Sequence, residues 1–195
     1  MITAGKNITS VSDPLVHVDV QYLVNAIKNP KEEVKALLEQ MRIVRTLSKE
    51  RYNAVKRQLP YFVCANFIPL YRKIENFAYT RYFVIDIDHL SDKGFLLGDL
   101  RKKIQSDSRV MLCFSSPSGD GLKVMMQLKE KCYDAGVYKL FYKLFVESFS
   151  RQYNLQQMVD SKTCDVSRAC FISYDPEVYY NPSPETIDCD EFVCE

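Results

Sequence analysis

Two β-rich runs, residues 109–115 and 122–128, are joined by Ser116-Pro-Ser-Gly-Asp-Gly121, and no other stretch constrains the fold as tightly. A connection that short joins antiparallel neighbours only, because parallel strands need a long crossover. Asp120-Gly121 suits a type I′ turn. Helical patterns lie on both sides of this hairpin. The order reads helix, helix, strand, helix, hairpin, helix, strand. It predicts an α+β fold in which a mixed or antiparallel sheet carries helices on one side.

The remaining elements follow from spacing and end signals. Residues 1–20 are weakly patterned. Asn29-Pro30 reads as a helix start, with Val34, Leu37, Leu38 and Met41 at helical spacing. Ser48 caps a second helix running to Gln58, and Leu59-Pro60 ends it. Residues 61–68 read as extended and 81–88 as a strand. There Phe83, Ile85 and Ile87 share one face, while Tyr82, Val84, Asp86 and Asp88 share the other. Ser91-Asp92 opens a helix to about Gln105. Residues 134–153 form a helix whose Val137, Leu140, Phe141, Leu144, Phe145, Ser148 and Phe149 make one stripe, predicted to be core. Residues 169–174 form a last strand. The predicted organisation is one domain over 1–176, mainly helical to 58 and sheet-based over 59–176, with 177–195 an acidic, loose tail or the start of a linker.

Composition narrows the class. Hydrophobic residues make up 47% of the chain, enough to exclude global disorder. Apolar runs reach only five residues, so no membrane span and no signal peptide is expected, and the predicted location is cytoplasmic. Seven cysteines without a Cys-x-x-Cys pair argue against a disulfide framework and against zinc. Net charge is only +1, yet residues 175–195 hold seven acids and no Lys or Arg. Residues 1–174 therefore carry 26 basic against 18 acidic side chains, a net +8 that suits an anionic partner.

Three stretches can carry chemistry. Asp86 and Asp88 project together from one strand face. Two such anions repel, and Mg²⁺ or Mn²⁺ relieves that repulsion with hard oxygen ligands; a strand simply ending in solvated acids would look the same. Ser115-Ser-Pro-Ser-Gly-Asp-Gly-Leu-Lys123 lets a backbone approach a phosphate closely, with Lys123 adding a point charge; it also reads as an ordinary hairpin turn. Val159-Asp160 with downstream Arg168 offers a further carboxylate and a planar fork for phosphate, or a solvated loop with local pairing. Arg42–Arg57 holds six basic residues (Arg42, Arg45, Lys49, Arg51, Lys56, Arg57) and one acid, with Tyr52 available for stacking on a base. His17 and His89 read as structural.

Taken in order, Asp-x-Asp on a strand, Ser-x-Ser-Gly-x-Gly-Leu in a hairpin, and hydrophobic-Asp with a downstream Ser-Arg resemble the archaeo-eukaryotic primase, or primase-polymerase, superfamily. They look closer still to the VirE N-terminal-like domains found ahead of helicase domains in bacterial mobile elements, especially of Bacteroidetes. The segments that carry the resemblance lie within residues 59–182.

The resemblance implies an RRM-like sheet packed against helices. It implies catalysis by a metal triad of Asp86, Asp88 and Asp160 with Mg²⁺ or Mn²⁺. Phosphate binding falls to Ser116, Ser118, Gly119, Gly121, Lys123 and Arg168. The implied partners are nucleoside triphosphates, a single-stranded DNA template and a helicase domain or protein. One residue departs from the pattern: active relatives usually carry His after Gly-Leu, where this chain has Lys123. The implied activity is primase/polymerase-type nucleotidyl transfer. Two alternatives stand beside it: a catalytically inactive nucleic-acid-binding or nucleotide-binding module of a mobile-element replication protein, and a metal-dependent phosphoesterase.

Overall fold

A computed structural model describes all residues except 11, 92, 93, 95, 160–163, 194 and 195. Among the described residues the chain forms an α+β fold with two antiparallel sheets and six α-helices. The strands are β1 (Ile2–Gly5), β2 (Val16–Val18), β3 (Tyr61–Val63), β4 (Ala65–Phe67), β5 (Phe77–Ile87), β6 (Val110–Ser115), β7 (Leu122–Cys132), β8 (Cys170–Phe171) and β9 (Tyr179–Tyr180). The helices are α1 (Val20–Lys28), α2 (Glu32–Arg45), α3 (Lys49–Lys56), α4 (Leu97–Gln105), α5 (Ala135–Tyr153) and α6 (Asp190–Val193).

The larger sheet runs β4-β5-β7-β6-β9, the smaller β2-β1-β3-β8. Within the larger, β5-α4-β6-β7-α5 is the βαββα arrangement of an RRM-like fold, with β7 lying between β5 and β6. The extended run at 61–68 serves both sheets. Its first half pairs with β1 and β8, its second with β5, and the change falls at Cys64.

The alternation along β5 is as the sequence predicts. Phe83, Ile85 and Ile87 are fully buried in the core shared with α4 and α5, where Phe83 meets Phe141 and Phe145 edge-on at 5.3 and 5.1 Å. Tyr82 and Val84, on the other face, pack in a second core with Phe62 of β3, Ile2 of β1 and Leu23 of α1. The larger sheet is thus covered on both faces, and Asp86 and Asp88 sit where the second covering layer ends.

Several local expectations are corrected. Asn29 ends α1 instead of opening α2, because Pro30 cannot donate to a helix and pushes its predecessor out of helical geometry. Ser48 does cap α3, accepting the Arg51 amide. Helix α4 starts at Leu97, not Ser91: the Ser91 amide is held by Asp120, and Gly94 then takes a left-handed turn. Asp92 lies outside the described residues. On α5, Val137, Leu140 and Leu144 are exposed, and the inward face is Tyr138, Phe141, Tyr142, Phe145, Val146, Phe149 and Tyr153. The stripe is rotated because tyrosines bury their rings; Tyr142 sends its hydroxyl to the Val84 carbonyl.

The acidic segment is not loose. β9 adds to the edge of β6, Ile187 is buried beside Leu128, and Phe192 of α6 packs against Phe141 and Phe145 at 5.8 and 5.2 Å. Its apolar residues supply the attachment, while Glu177, Glu185, Asp190 and Glu191 face outward. Asp175, between β8 and β9, is buried. It accepts from Arg101 of α4 and from the Ser115 amide, and its own amide donates to Ile27 of α1. Burial works against its charge, but the Arg101 guanidinium and the backbone amides outweigh burial and hold the carboxyl below the ordinary range.

Two stability predictions follow. Asp175→Asn leaves Arg101 buried without its counter-charge and should cost about 3–5 kcal/mol in urea unfolding. Because the folded value is lowered, this contribution is full above about pH 4 and is lost as pH falls from there through the folded value. Phe192→Ala should cost about 1–2 kcal/mol in the same assay; an unchanged midpoint would show that α6 contributes nothing to the core.

Candidate nucleotide and nucleic-acid site

Strand register builds the site. β5 and β7 pair antiparallel with Asp86 opposite Lys123, so both side chains leave the sheet on the same face. The Lys123 ammonium lies 2.6 Å from Asp86 Oδ2. Burial opposes the lysine's charge, but the charge of Asp86 and its hydrogen bond, with Asp88 beyond, hold its pKa well above the ordinary value. Asp86 Oδ1 is buried and has no hydrogen-bond partner among the described residues. Asp88 follows the end of β5. Burial, and then the Asp86 charge, raise its pKa.

Gly121 explains how Asp88 fits. A Cβ there would meet the Ile87 carbonyl oxygen at 2.3 Å and Asp88 Oδ1 at 2.9 Å. The hairpin differs from the expected type I′ turn. Ser116 O accepts from the Gly119 amide across Pro117-Ser118, and the glycine in the left-handed region is Gly119. Pro117 fixes the first turn angle, which moves the reversal upstream of Asp120-Gly121. The Ser116 and Ser118 hydroxyls lie 2.9 Å apart.

The loop is held from outside. Arg42 donates to the Pro117 carbonyl at 3.1 Å, and Arg45 to Asp120 at 2.9 Å and to the Ser118 carbonyl at 3.4 Å. Asp120 also accepts the Ser91 amide at 3.0 Å. By sequence pattern Arg42 and Arg45 belong to a nucleic-acid-binding stretch and Asp120 to a turn. The structure uses all three to brace the loop against α2 and the segment after β5. No local signal marks this, because the partners are about 75 residues apart.

These elements enclose a cleft of about 800 Å³. Asp86, Asp88, Ser116, Ser118, Lys123 and Arg168 line it, as do Arg45, Lys49, Tyr52 and Lys56 from α2 and α3. Gly119 and Gly121 shape the loop, while Arg51 on α3 and Arg57 just past its end are exposed, outside the cleft. His89, Arg72, Asp165 and Phe171 are lining residues that the sequence did not mark. His89 reaches the cleft because it takes a left-handed backbone, φ 61°, instead of continuing β5. Six basic side chains face three carboxylates among the described lining residues. Burial, then repulsion from Lys123, lowers the Lys56 pKa, and its ammonium lies near the Tyr52 and Phe171 rings at 5.7 and 5.6 Å.

Asp160 lies outside the described residues. Its predecessor Val159 makes an antiparallel bridge to Ile87, and the Met158 carbonyl accepts the Asp88 amide at 3.0 Å. Among the described residues no three His, Cys, Asp or Glu side chains gather to hold an ion. Asp86 and Asp88 suit a hard divalent cation as two of its ligands: both carboxylates line the cleft at one end of the sheet, and with Oδ1 unpartnered among the described residues the Asp86 charge is balanced by the Lys123 ammonium alone.

The family model described as the BT4734-like N-terminal domain matches residues 54–180, and the chain belongs to that family. This is the VirE N-terminal-like family that the sequence segments resemble. No curated protein is similar enough to match the chain. Among solved structures, the AEP domain of the cyanophage S-2L primase-polymerase is similar at a TM-score of 0.46 and 10% identity, over 76% of each chain. No helix is long and apolar enough to cross a membrane among the described residues.

Gly121→Ala tests the packing beneath Asp88. It should lower stability by about 1–3 kcal/mol, read by urea unfolding. Gly119→Ala should be destabilising through strain at its left-handed φ, with no such clash.

Proposed function

We propose that this domain is a metal-dependent nucleotidyltransferase of the primase-polymerase type, adding nucleotides from nucleoside triphosphates on a single-stranded DNA template. The observation that supports it most is the meeting of Asp86, Asp88, Ser116, Ser118, Lys123 and Arg168 in one basic cleft. In this reading Asp86 and Asp88 hold Mg²⁺ or Mn²⁺. Asp160 is the proposed third ligand, as the resemblance implies; its predecessor Val159 bridges Ile87, beside Asp86 in sequence. Such an ion, when bound, lowers the pKa of an attacking hydroxyl and neutralises leaving-group charge.

The chain's own groups do the rest. Arg168 grips phosphate oxygens through its planar fork, and the Ser116 and Ser118 hydroxyls donate to them. Lys123 adds a point charge. Lys49 and Lys56 track a template backbone, and Tyr52 offers a ring to an unstacked base. The braces from Arg42, Arg45 and Asp120 keep the loop in place before ligand arrives, so that no ordering cost falls on binding.

A second reading has one observation in its favour. The Lys123 ammonium already neutralises Asp86, as a module that binds nucleotide or nucleic acid without reaction would allow.

Primer extension on single-stranded DNA with Mg²⁺ or Mn²⁺ separates the two. Wild type should incorporate nucleotide, and Asp86→Asn should abolish incorporation. Arg168→Ala should raise the apparent KM for nucleotide about tenfold with a smaller change in kcat. Nucleic acid bound by the wild type without any incorporation would establish the binding module instead.

A further inference from the structure

The position of Lys123 bears on how a cation reaches the acid pair. Its ammonium is fixed on Asp86 Oδ2 by cross-strand register, not by a flexible surface contact. The residue is only 7% exposed, so its stem has little freedom to swing into solvent. The other Asp86 oxygen is buried and unpartnered among the described residues, hence closed to an ion arriving from water. Asp88 is then the one carboxylate of the pair that is not tied to an ammonium among the described residues. A single carboxylate holds Mg²⁺ or Mn²⁺ weakly, because such ions keep their waters and rely on further anionic ligands.

We infer that Lys123 is a resident cation that keeps divalent ions off Asp86 until an anionic group enters the cleft. This rests on the proposed reading that the cleft takes phosphates. The ammonium has three donor hydrogens and lines the same cleft as Arg168, Ser116 and Ser118. A phosphate bound by those groups competes with Asp86 for the ammonium. As Lys123 turns toward it, Asp86 Oδ2 is released to the incoming ion. Anion and metal therefore bind with positive coupling, and each must strengthen the other by the same factor. The site thus rejects free metal and accepts metal that arrives together with phosphate.

Mn²⁺ binding to the full chain, followed by the electron-paramagnetic-resonance signal of free Mn²⁺, tests this without any turnover. In the absence of anions, Lys123→Met should bind Mn²⁺ about tenfold more tightly than wild type. Lys123→Arg should resemble wild type, and the Lys123→Met/Asp86→Asn double variant should lose the gain. Sulfate, used as a tetrahedral dianion at constant ionic strength, should tighten Mn²⁺ binding to wild type and have little effect on Lys123→Met. Circular dichroism checks that each variant is folded. If Lys123→Met does not fold, the sulfate effect on wild type decides: an unchanged Mn²⁺ affinity overturns the inference. Equal Mn²⁺ affinity of wild type and folded Lys123→Met overturns it as well. Either result leaves the nucleotidyltransferase reading to stand or fall on primer extension. Absence of Mn²⁺ binding by every variant, with and without sulfate, overturns the inference and likewise leaves that reading to primer extension.

Discussion

The antiparallel register of β5 against β7 is the constraint on which the site depends. It sets Asp86 opposite Lys123, leaves Asp88 just past the strand end over a glycine, and fixes where the hairpin loop stands relative to both. Slipping β5 by one residue would turn the acids into the aromatic core and take Phe83 and Ile85 out of it. The core on one face thus enforces the chemistry on the other. Phe83 wedged against Phe141 and Phe145 is as much a determinant of the cleft as any residue that lines it.

The loop shows a second level of organisation. A glycine- and serine-rich turn is mobile if left alone. Here its carbonyls and Asp120 are tied to two arginines of α2 and to the amide of Ser91. Charges that look available for a nucleic-acid backbone are partly committed to scaffolding. The free basic surface of the cleft shifts to α3, where Lys49 and Lys56 flank Tyr52.

What the sequence made legible follows from the geometry of each signal. The two-residue period of a strand is fixed by the pleat, so the two faces of residues 82–88 could be read directly. The hairpin was readable because a six-residue link leaves few alternatives, although Pro117 moved the turn from where Asp120-Gly121 would have put it. The inward face of α5 was misread because tyrosines count as half polar by pattern and yet bury their rings. β1, β2 and α1 gave no clear pattern. β1 is four residues long, includes Thr3 and Gly5, and takes its order from neighbours at Val16–Val18 and Tyr61–Val63. In the cleft, the acids, serines, Lys123 and Arg168 were readable as motif residues. His89, Arg72 and Phe171 were not, since backbone turns and long-range packing alone bring them there.

The attachment of the acidic segment has an electrical consequence. Phe192 docks α6 on α5, on the far side of the larger sheet from Asp86, and Lys129 pairs with Asp188 there. None of the acids of residues 177–193 lines the cleft. In a chain of net charge +1, the cleft, with six basic side chains against three carboxylates, is therefore a local positive patch that these acids do not offset. A polyanion approaching such a molecule feels little attraction at long range and a torque at short range. The torque turns the cleft toward the polyanion within about one Debye length, roughly 8 Å at physiological salt. Orientation, more than capture, is what this distribution of charge provides.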